Sequence, residues 1–211
     1  MDGNKITRLV VQKRNPGRVN VYLDDEFAFG LYKTTAAWLE IGQILSDEKI
    51  KKLLDEDQKT EVYTKALKYI SYKQRTVRET TRKLQKDGYD EVLISETIAR
   101  LSENGILNDK DYAEQWVDER KENKPRSKRA LRQELQRKGI PENLIQSAVE
   151  DIDDFQSAYD TAEGRIWRYE GLSEFEFRKK LGTYLAGKGY QFDVISEVTR
   201  KLWKRIQSSA N

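Results

Sequence analysis

The chain has 211 residues, with 39 Lys+Arg against 36 Asp+Glu, a formal net charge of +3, no Cys and no His. Those absences exclude a disulfide framework, thiolate nucleophiles, Cys-based zinc or iron–sulfur sites, imidazole bases, Ser-His-Asp triads and His-ligated metals. Charged residues make up 36%, well above the roughly 25% of an average soluble protein, while 4 Trp, 11 Tyr and 6 Phe supply apolar bulk for a modest core.

The opening Met1-Asp2-Gly3-Asn4-Lys5 carries no apolar signal core, and no apolar run approaches the roughly 18 residues of a membrane span. A cytoplasmic location is therefore expected. Ile6-Thr7-Arg8-Leu9-Val10-Val11 is β-branched and apolar, and Asn15-Pro16-Gly17 is a turn signal. Val19, Val21 and Leu23 alternate with polar residues, and Asp24-Asp25-Glu26 can turn the chain into Phe27-Ala28-Phe29. A small antiparallel meander is predicted there. After about Thr34 the pattern becomes helical. Ser46 is a candidate N-cap for the segment from Asp47 to Leu54, with acids in its first turn.

A repeat follows. Leu84-x3-Gly88-Tyr89, Leu135-x3-Gly139-Ile140 and Leu185-x3-Gly189-Tyr190 recur at intervals of 51 and 50 residues. Counted from each Gly, Leu93-Ile94, Leu144-Ile145 and Val194-Ile195 agree, as do Leu101, Ile152 and Leu202. The polar mismatches are Thr80, against Leu131 and Leu181, and Thr199, against Ile98 and Val149. Each Gly follows a basic helical turn and precedes a new helix start, the pattern of a C-cap. Amphipathic segments stand upstream at Tyr63–Tyr72, Tyr112–Lys121 and Ala158–Tyr169. The predicted fold is thus mainly α: three tandem three-helix repeats in an elongated, curved array, with a small N-terminal antiparallel β element. The expected segments are 1–60, 61–107, 108–154 and 155–211. Each repeat is too short to bury its own apolar face, so stacking of neighbours is expected.

Charge is segregated within the repeats. Arg120 to Lys138 holds nine basic residues against Glu122 and Glu134, and Lys73 to Lys86 holds six against one. Arg78, Arg129 and Lys179 share one position, ten before the Gly, on the middle helices. The third helices carry acids, from Asp90, Glu91 and Glu96 to Glu142, Glu150, Asp151, Asp153 and Asp154. Such charge can be a solvated face with weak salt bridges. Three matched basic helices instead favour a basic surface for phosphates or an acidic protein face.

Two chemical-looking motifs fail on inspection. The stretch from Gly182 to Gly189 nearly spells a P-loop, but Gly189 stands where Ser or Thr is needed and a helix precedes it. Asn108-Asp109-Lys110-Asp111 lacks the Gly and bidentate Glu of a calcium loop. It reads better as a helix start capped by Asn108 or Asp109. Trp116 and Trp167, both within first helices, are expected in the core rather than exposed.

Leu107-Asn108-Asp109-x2-Tyr112-Ala113-x2-Trp116-Val117-x2-Arg120, then Lys124-Pro125-Arg126-Ser127, then Leu135-x2-Lys138-Gly139-Ile140, resembles the signature of the RecX family, bacterial regulators of RecA recombinase. The run Arg75-Thr76-x2-Glu79-x4-Leu84-x3-Gly88 is similar to that family's opening repeat. The resemblance covers about residues 61–206. It implies three three-helix repeats and no enzyme activity. It also implies binding in the groove of the RecA–single-stranded DNA filament, which modulates, and mostly inhibits, strand exchange, ATP hydrolysis, coprotease activity and filament growth. No cofactor or metal is implied, and a monomer that meets single-stranded DNA weakly or through the filament is expected.

Of the residues matching the motif, Asp109, Tyr112, Ala113, Trp116, Leu135 and Gly139 are expected to be structural. The partner- or DNA-binding candidates are Arg75, Arg78, Arg82, Arg120, Lys124, Arg126, Lys128, Arg129, Arg132 and Lys179. Reversing Arg126 and Arg129 together is expected to weaken filament inhibition without loss of helicity. The alternative is a helical repeat protein that binds nucleic acid without RecA. A carboxylate–Mg²⁺ nuclease is disfavoured, since no acid cluster stands out.

Overall fold

The computed structural model describes residues 4–209. Met1-Asp2-Gly3 and residues 210–211 lie outside the described residues. The chain divides into two compact units, Met1–Gln74 with Thr80–Ile106, and Arg75–Glu79 with Leu107–Asn211.

The first unit opens with three strands, β1 (Asn4–Val11), β2 (Arg18–Leu23) and β3 (Glu26–Tyr32), paired antiparallel as a meander. Asp24 and Asp25 take positive φ of 47° and 69° and form the two-residue hairpin turn, so Glu26 already belongs to β3. Alternation buries Ile6, Val19, Val21 and Leu31. A two-residue strand β4 (Ile44–Leu45) adds to the far side of β1, giving the order β3-β2-β1-β4. It is too short to show a period and was not expected.

Helix α1 (Lys33–Ala36) leads to α2 (Asp47–Ser71), where the Ser46 hydroxyl accepts from the Lys49 N–H. Helix α2 runs unbroken through residues 60–61. Asp57, 5% exposed, ties it to the sheet by accepting from the Tyr32 N–H at 2.5 Å and from Arg18 Nη2 at 2.9 Å. Farther along α2, Val62 and Ala66 are buried. Helix α3 (Val77–Lys86) contributes buried Leu84, and α4 (Glu91–Glu103), capped by Asp90, contributes Ile94 and Leu101.

In the second unit, α5 (Asp109–Asn123), α6 (Lys128–Lys138) and α7 (Glu142–Ala148) form one three-helix set. Helix α8 (Asp154–Glu163), a 3-10 turn at Ile166–Tyr169, α9 (Glu174–Gly187) and α10 (Phe192–Ser209) form the next. Each set has its own core. Tyr112, Ala113, Val117, Leu131, Leu135, Ile140, Ile145 and Val149 make the first. Ala158, Ala162, Phe177, Leu181, Leu185, Tyr190, Val198 and Leu202 make the second. Each of these two sets thus has about eight buried side chains of its own, and the two also meet through the buried Ser127.

The Leu-x3-Gly signature has a local explanation. Gly88, Gly139 and Gly189 have φ of +87°, +85° and +92°, a region an L side chain enters at a cost of about 1 kcal/mol or more. This lets the next residue's N–H turn back to the repeat Leu, from Tyr89 to Leu84 O, Ile140 to Leu135 O and Tyr190 to Leu185 O. The same three leucines are no more than 1% exposed. Gly, Leu and the apolar residue after Gly are thus one helix-ending device.

Two expectations about the third repeat are corrected. The segment Ala158–Tyr169 is not one helix, because α8 closes at Gly164 and a 3-10 turn follows. Trp167 is 61% exposed rather than core, since the short 3-10 turn puts Ile166 and Tyr169 against the core and sends Trp167 outward. The P-loop-like stretch lies mostly within α9 and its C-cap, in keeping with its reading as ordinary repeat positions.

Candidate functional site

The motif run from Asp109 to Lys138 builds a polar ladder between α5 and α6. Tyr112, Trp116 and Arg120, four residues apart, lie on one side of α5. The Tyr112 and Trp116 rings stack at 5.9 Å. Arg120 lies 4.3 Å and Lys138 Nζ 5.4 Å from the Trp116 ring centre. Glu134 on α6 accepts from Trp116 Nε1 and from Arg120 Nε, each at 2.9 Å. The Arg120 and Glu134 side chains are both 16% exposed. Arg120, expected as a partner contact, is therefore spent inside the fold. Glu134 was read only as an acid in a basic helix, and its two partners became visible only with α5 beside α6.

Asp109 is not the cap of its own helix. The Asn108 side chain accepts from the Lys110 and Asp111 N–H groups. Asp109 instead accepts at 2.9 Å from the N–H of Val77, where α3 begins. In the same place Thr76 Oγ1 donates to the Lys138 carbonyl at 2.9 Å, and Lys138 Nζ donates to Glu79 at 2.7 Å. The joint between the second and third repeats repeats this plan. Asp154 accepts from the Lys128 N–H at 2.6 Å. Ser127 Oγ donates to the Gly189 carbonyl at 2.7 Å, and the Ser127 N–H donates to Lys188 O. Thr76 and Ser127 both stand twelve residues before their repeat's Gly, so the sequence held that match. Each is fully buried. The joints are thus hydrogen-bonded helix starts laid against helix ends.

The joints and contacts inside the second repeat consume more of the candidates. Arg126 Nη1 donates to Gly187 O at 2.8 Å, and Lys128 Nζ donates to Glu150 O at 2.9 Å. Arg132 is held by Glu142 and Gln146. Arg75 is partly buried. Lys124 closes α5 and its side chain is exposed. Arg82 is exposed. Arg78, Arg129 and Lys179 are exposed and form no ion pair among the described residues. The structure therefore leaves free the three cations at the matched position, while Arg126, paired with Arg129 in the expected charge-reversal test, is a joint residue.

The Glu79–Lys138 pair gives the first joint a pH signature. Burial pushes the Glu79 carboxyl up, but the Lys138 ammonium and the Thr76 N–H outweigh this and hold it below the ordinary 4.5. The hydrogen bond to Glu79 holds Lys138 above the ordinary 10.5, against burial. A lowered carboxyl stabilises above its unfolded value and loses that as pH falls. A raised amine stabilises below its unfolded value and loses that as pH rises. The pair's contribution is accordingly complete between about pH 5 and 10. Lys138→Met is expected to cost about 0.5–1 kcal/mol in urea unfolding at pH 7. At pH 3 the gap between variant and parent narrows. Asp109, pushed up by burial, has the opposite sign and is common to both proteins.

Among the described residues no group of three or more Asp or Glu is placed to hold a metal ion, and no helix is long and apolar enough to cross a membrane. The fold and its polar joints define a protein built of tandem three-helix repeats. Four family models match in sequence: the regulatory protein RecX N-terminal domain over residues 4–46, and the first, second and third RecX three-helix domains over 63–101, 108–149 and 151–199. The chain belongs to the RecX family.

Regulatory protein RecX of Clostridium perfringens is 31% identical over 208 residues, covering 94% of this chain and 96% of that protein. Its counterpart from Bacillus subtilis is 30% identical over 196 residues, covering 90% of this chain and 74% of that protein. A crystal structure of regulatory protein RecX superposes with a TM-score of 0.73 at 26% identity, covering 93% of this chain and 99% of that one. RecX from Lactobacillus salivarius gives 0.62 at 29% identity, covering 70% and 97%.

Proposed function

We propose that this protein binds the groove of the RecA–single-stranded DNA filament and inhibits RecA recombinase, ATPase and coprotease activities, working in the cytoplasm as a monomer without a cofactor. Family membership across residues 4–199 carries the reading. The free cations Arg78, Arg129 and Lys179 supply its chemistry. One unpaired cation at the same place on each middle helix suits a partner that repeats an acidic or phosphate group along its length. Weak contacts in series then give a strong total through effective concentration.

Purified protein is expected to slow RecA ATP hydrolysis and strand exchange on single-stranded DNA. Arg78→Glu, Arg129→Glu and Lys179→Glu each weaken inhibition about two- to fivefold, and the triple variant weakens it about tenfold or more at unchanged helicity. Reversal at Arg78 keeps the side-chain stem. A folded triple variant that inhibits like its parent removes these residues from the interface. A parent that alters neither RecA activity at any ratio removes the RecA reading, and salt-steep binding to naked DNA would then favour nucleic-acid binding without RecA.

A further inference from the structure

The third repeat carries a cluster of exposed and half-exposed cations and rings, whose charged side-chain ends neither the core nor the joints use, although the Tyr184 ring leans on the core and the Lys188 carbonyl serves the joint. Arg165 and Lys188 both rest on the Tyr184 ring, at 4.5 and 5.5 Å from its centre. Lys180 and Lys188 stand four residues before and after Tyr184, on the same side of the helix and its C-cap. Arg168 lies 5.0 Å from the ring centre of Trp167, which is 61% exposed. The 3-10 turn places Arg165 and Arg168 three residues apart, hence on one edge, with the Arg168 N–H bonded to Arg165 O.

No ion pair involves Arg165, Arg168, Lys180 or Lys188 among the described residues. The neighbouring acids are engaged elsewhere: Glu163 with Arg205, Glu174 with Arg178, and Glu176 with Ser173. Glu170 is exposed and bridges to none of the four. Four unneutralised cations beside an exposed indole offer positive charge and a flat apolar face side by side. A hydrophobic ligand would leave the charges unmet, and a simple anion would leave the indole in water. Phosphate and nucleobase together match both.

We propose that the Arg165–Lys188 face of the third repeat is a single-stranded DNA site, with phosphates on Arg165, Arg168, Lys180 and Lys188 and a base stacked on Trp167. Arg165 and Lys188 are held in place by the Tyr184 ring, so less side-chain freedom is lost when a phosphate arrives. The site acts on DNA directly and does not rest on the RecA reading.

The test uses the full chain and a fluorescein-labelled oligothymidylate, read by anisotropy over a salt series with no RecA present. Trp167→Ala is expected to weaken binding about fivefold to a hundredfold, the range for one lost base stack. Trp167→Phe keeps a stacking face and most of the affinity. Arg165→Glu with Lys188→Glu weakens binding and flattens the logarithmic salt slope by about 1.4, the value for two phosphate contacts on a single strand. Lys110→Glu, a charge change elsewhere, stays within about twofold of the parent. All the altered residues are at the surface or partly exposed, and far-UV circular dichroism verifies folding. No oligothymidylate binding by the parent, or parental affinity and slope in both the Trp167→Ala and the Arg165→Glu/Lys188→Glu proteins, overturns the proposal. So does parental DNA binding with lost RecA inhibition, which would make this face a contact for acidic protein.

Discussion

Gly139→Ala and Gly189→Ala are each expected to destabilise the protein by about 2–4 kcal/mol, while Gly88→Ala costs only about 1 kcal/mol. All three glycines end a middle helix at positive φ, so all three pay the backbone strain. They differ in what a methyl group would meet. At Gly88 there is nothing within 4 Å. At Gly139 a Cβ would stand 2.0 Å from Arg78 Cδ and 2.6 Å from Arg78 Cβ. Since Arg78 Cβ is fixed to its backbone, the start of α3 would have to retreat. At Gly189 the Cβ would stand 2.8 Å from both Ala130 Cβ and Ser127 Oγ. There the retreat would also stretch the bond from Ser127 to Gly189 O. Chemical unfolding of the three variants checks the difference. Equal losses at the three sites would show that helix ending alone, and not the joint, sets the cost.

That contrast shows what one sequence can and cannot disclose. The period of 51 and 50 residues, the helix starts at Ser46 and Asn108, and the meander were legible because each rests on neighbours in the chain: alternation, a capping side chain, a Gly after a Leu. The joints were not, because their partners lie 26–62 residues apart, as in Asp154 with Lys128 and Thr76 with Lys138. Separation in sequence also hid the roles of Arg120, 14 residues from Glu134, and Arg126, 61 residues from Gly187. A basic residue on a basic helix reads as free charge until its carboxylate or carbonyl is seen beside it. Arg78, Arg129 and Lys179 were legible in a stronger way, by recurrence at one position, and the structure leaves all three exposed. Trp167 was misjudged because the Gly164 helix end changes the period that decides which side of the turn faces inward.

Glu134→Ala is expected to cost about 3 kcal/mol, more than any single charge reversal on the exposed cations. The carboxylate takes hydrogen bonds from Trp116 and Arg120, and Arg126 Nε lies 3.8 Å from it. Removing it strands a guanidinium that is 84% covered and an indole N–H, both of which then lack an acceptor that water supplies poorly. Arg120→Met should cost less, about 1–2 kcal/mol, since Glu134 keeps the Trp116 N–H and a thioether retains packing on the ring. The double variant Glu134→Ala with Arg120→Met is therefore expected to lose less than the sum of the single losses, with a coupling of about 1–2 kcal/mol between the two sites. Urea unfolding of the four proteins measures it. Strict additivity would mean that the pair does not act as one unit, and Arg120 would return as a candidate for partner contact. Strong coupling with undiminished RecA inhibition in the folded double variant would place the family motif in the scaffold and leave binding to the cations that recur on the middle helices.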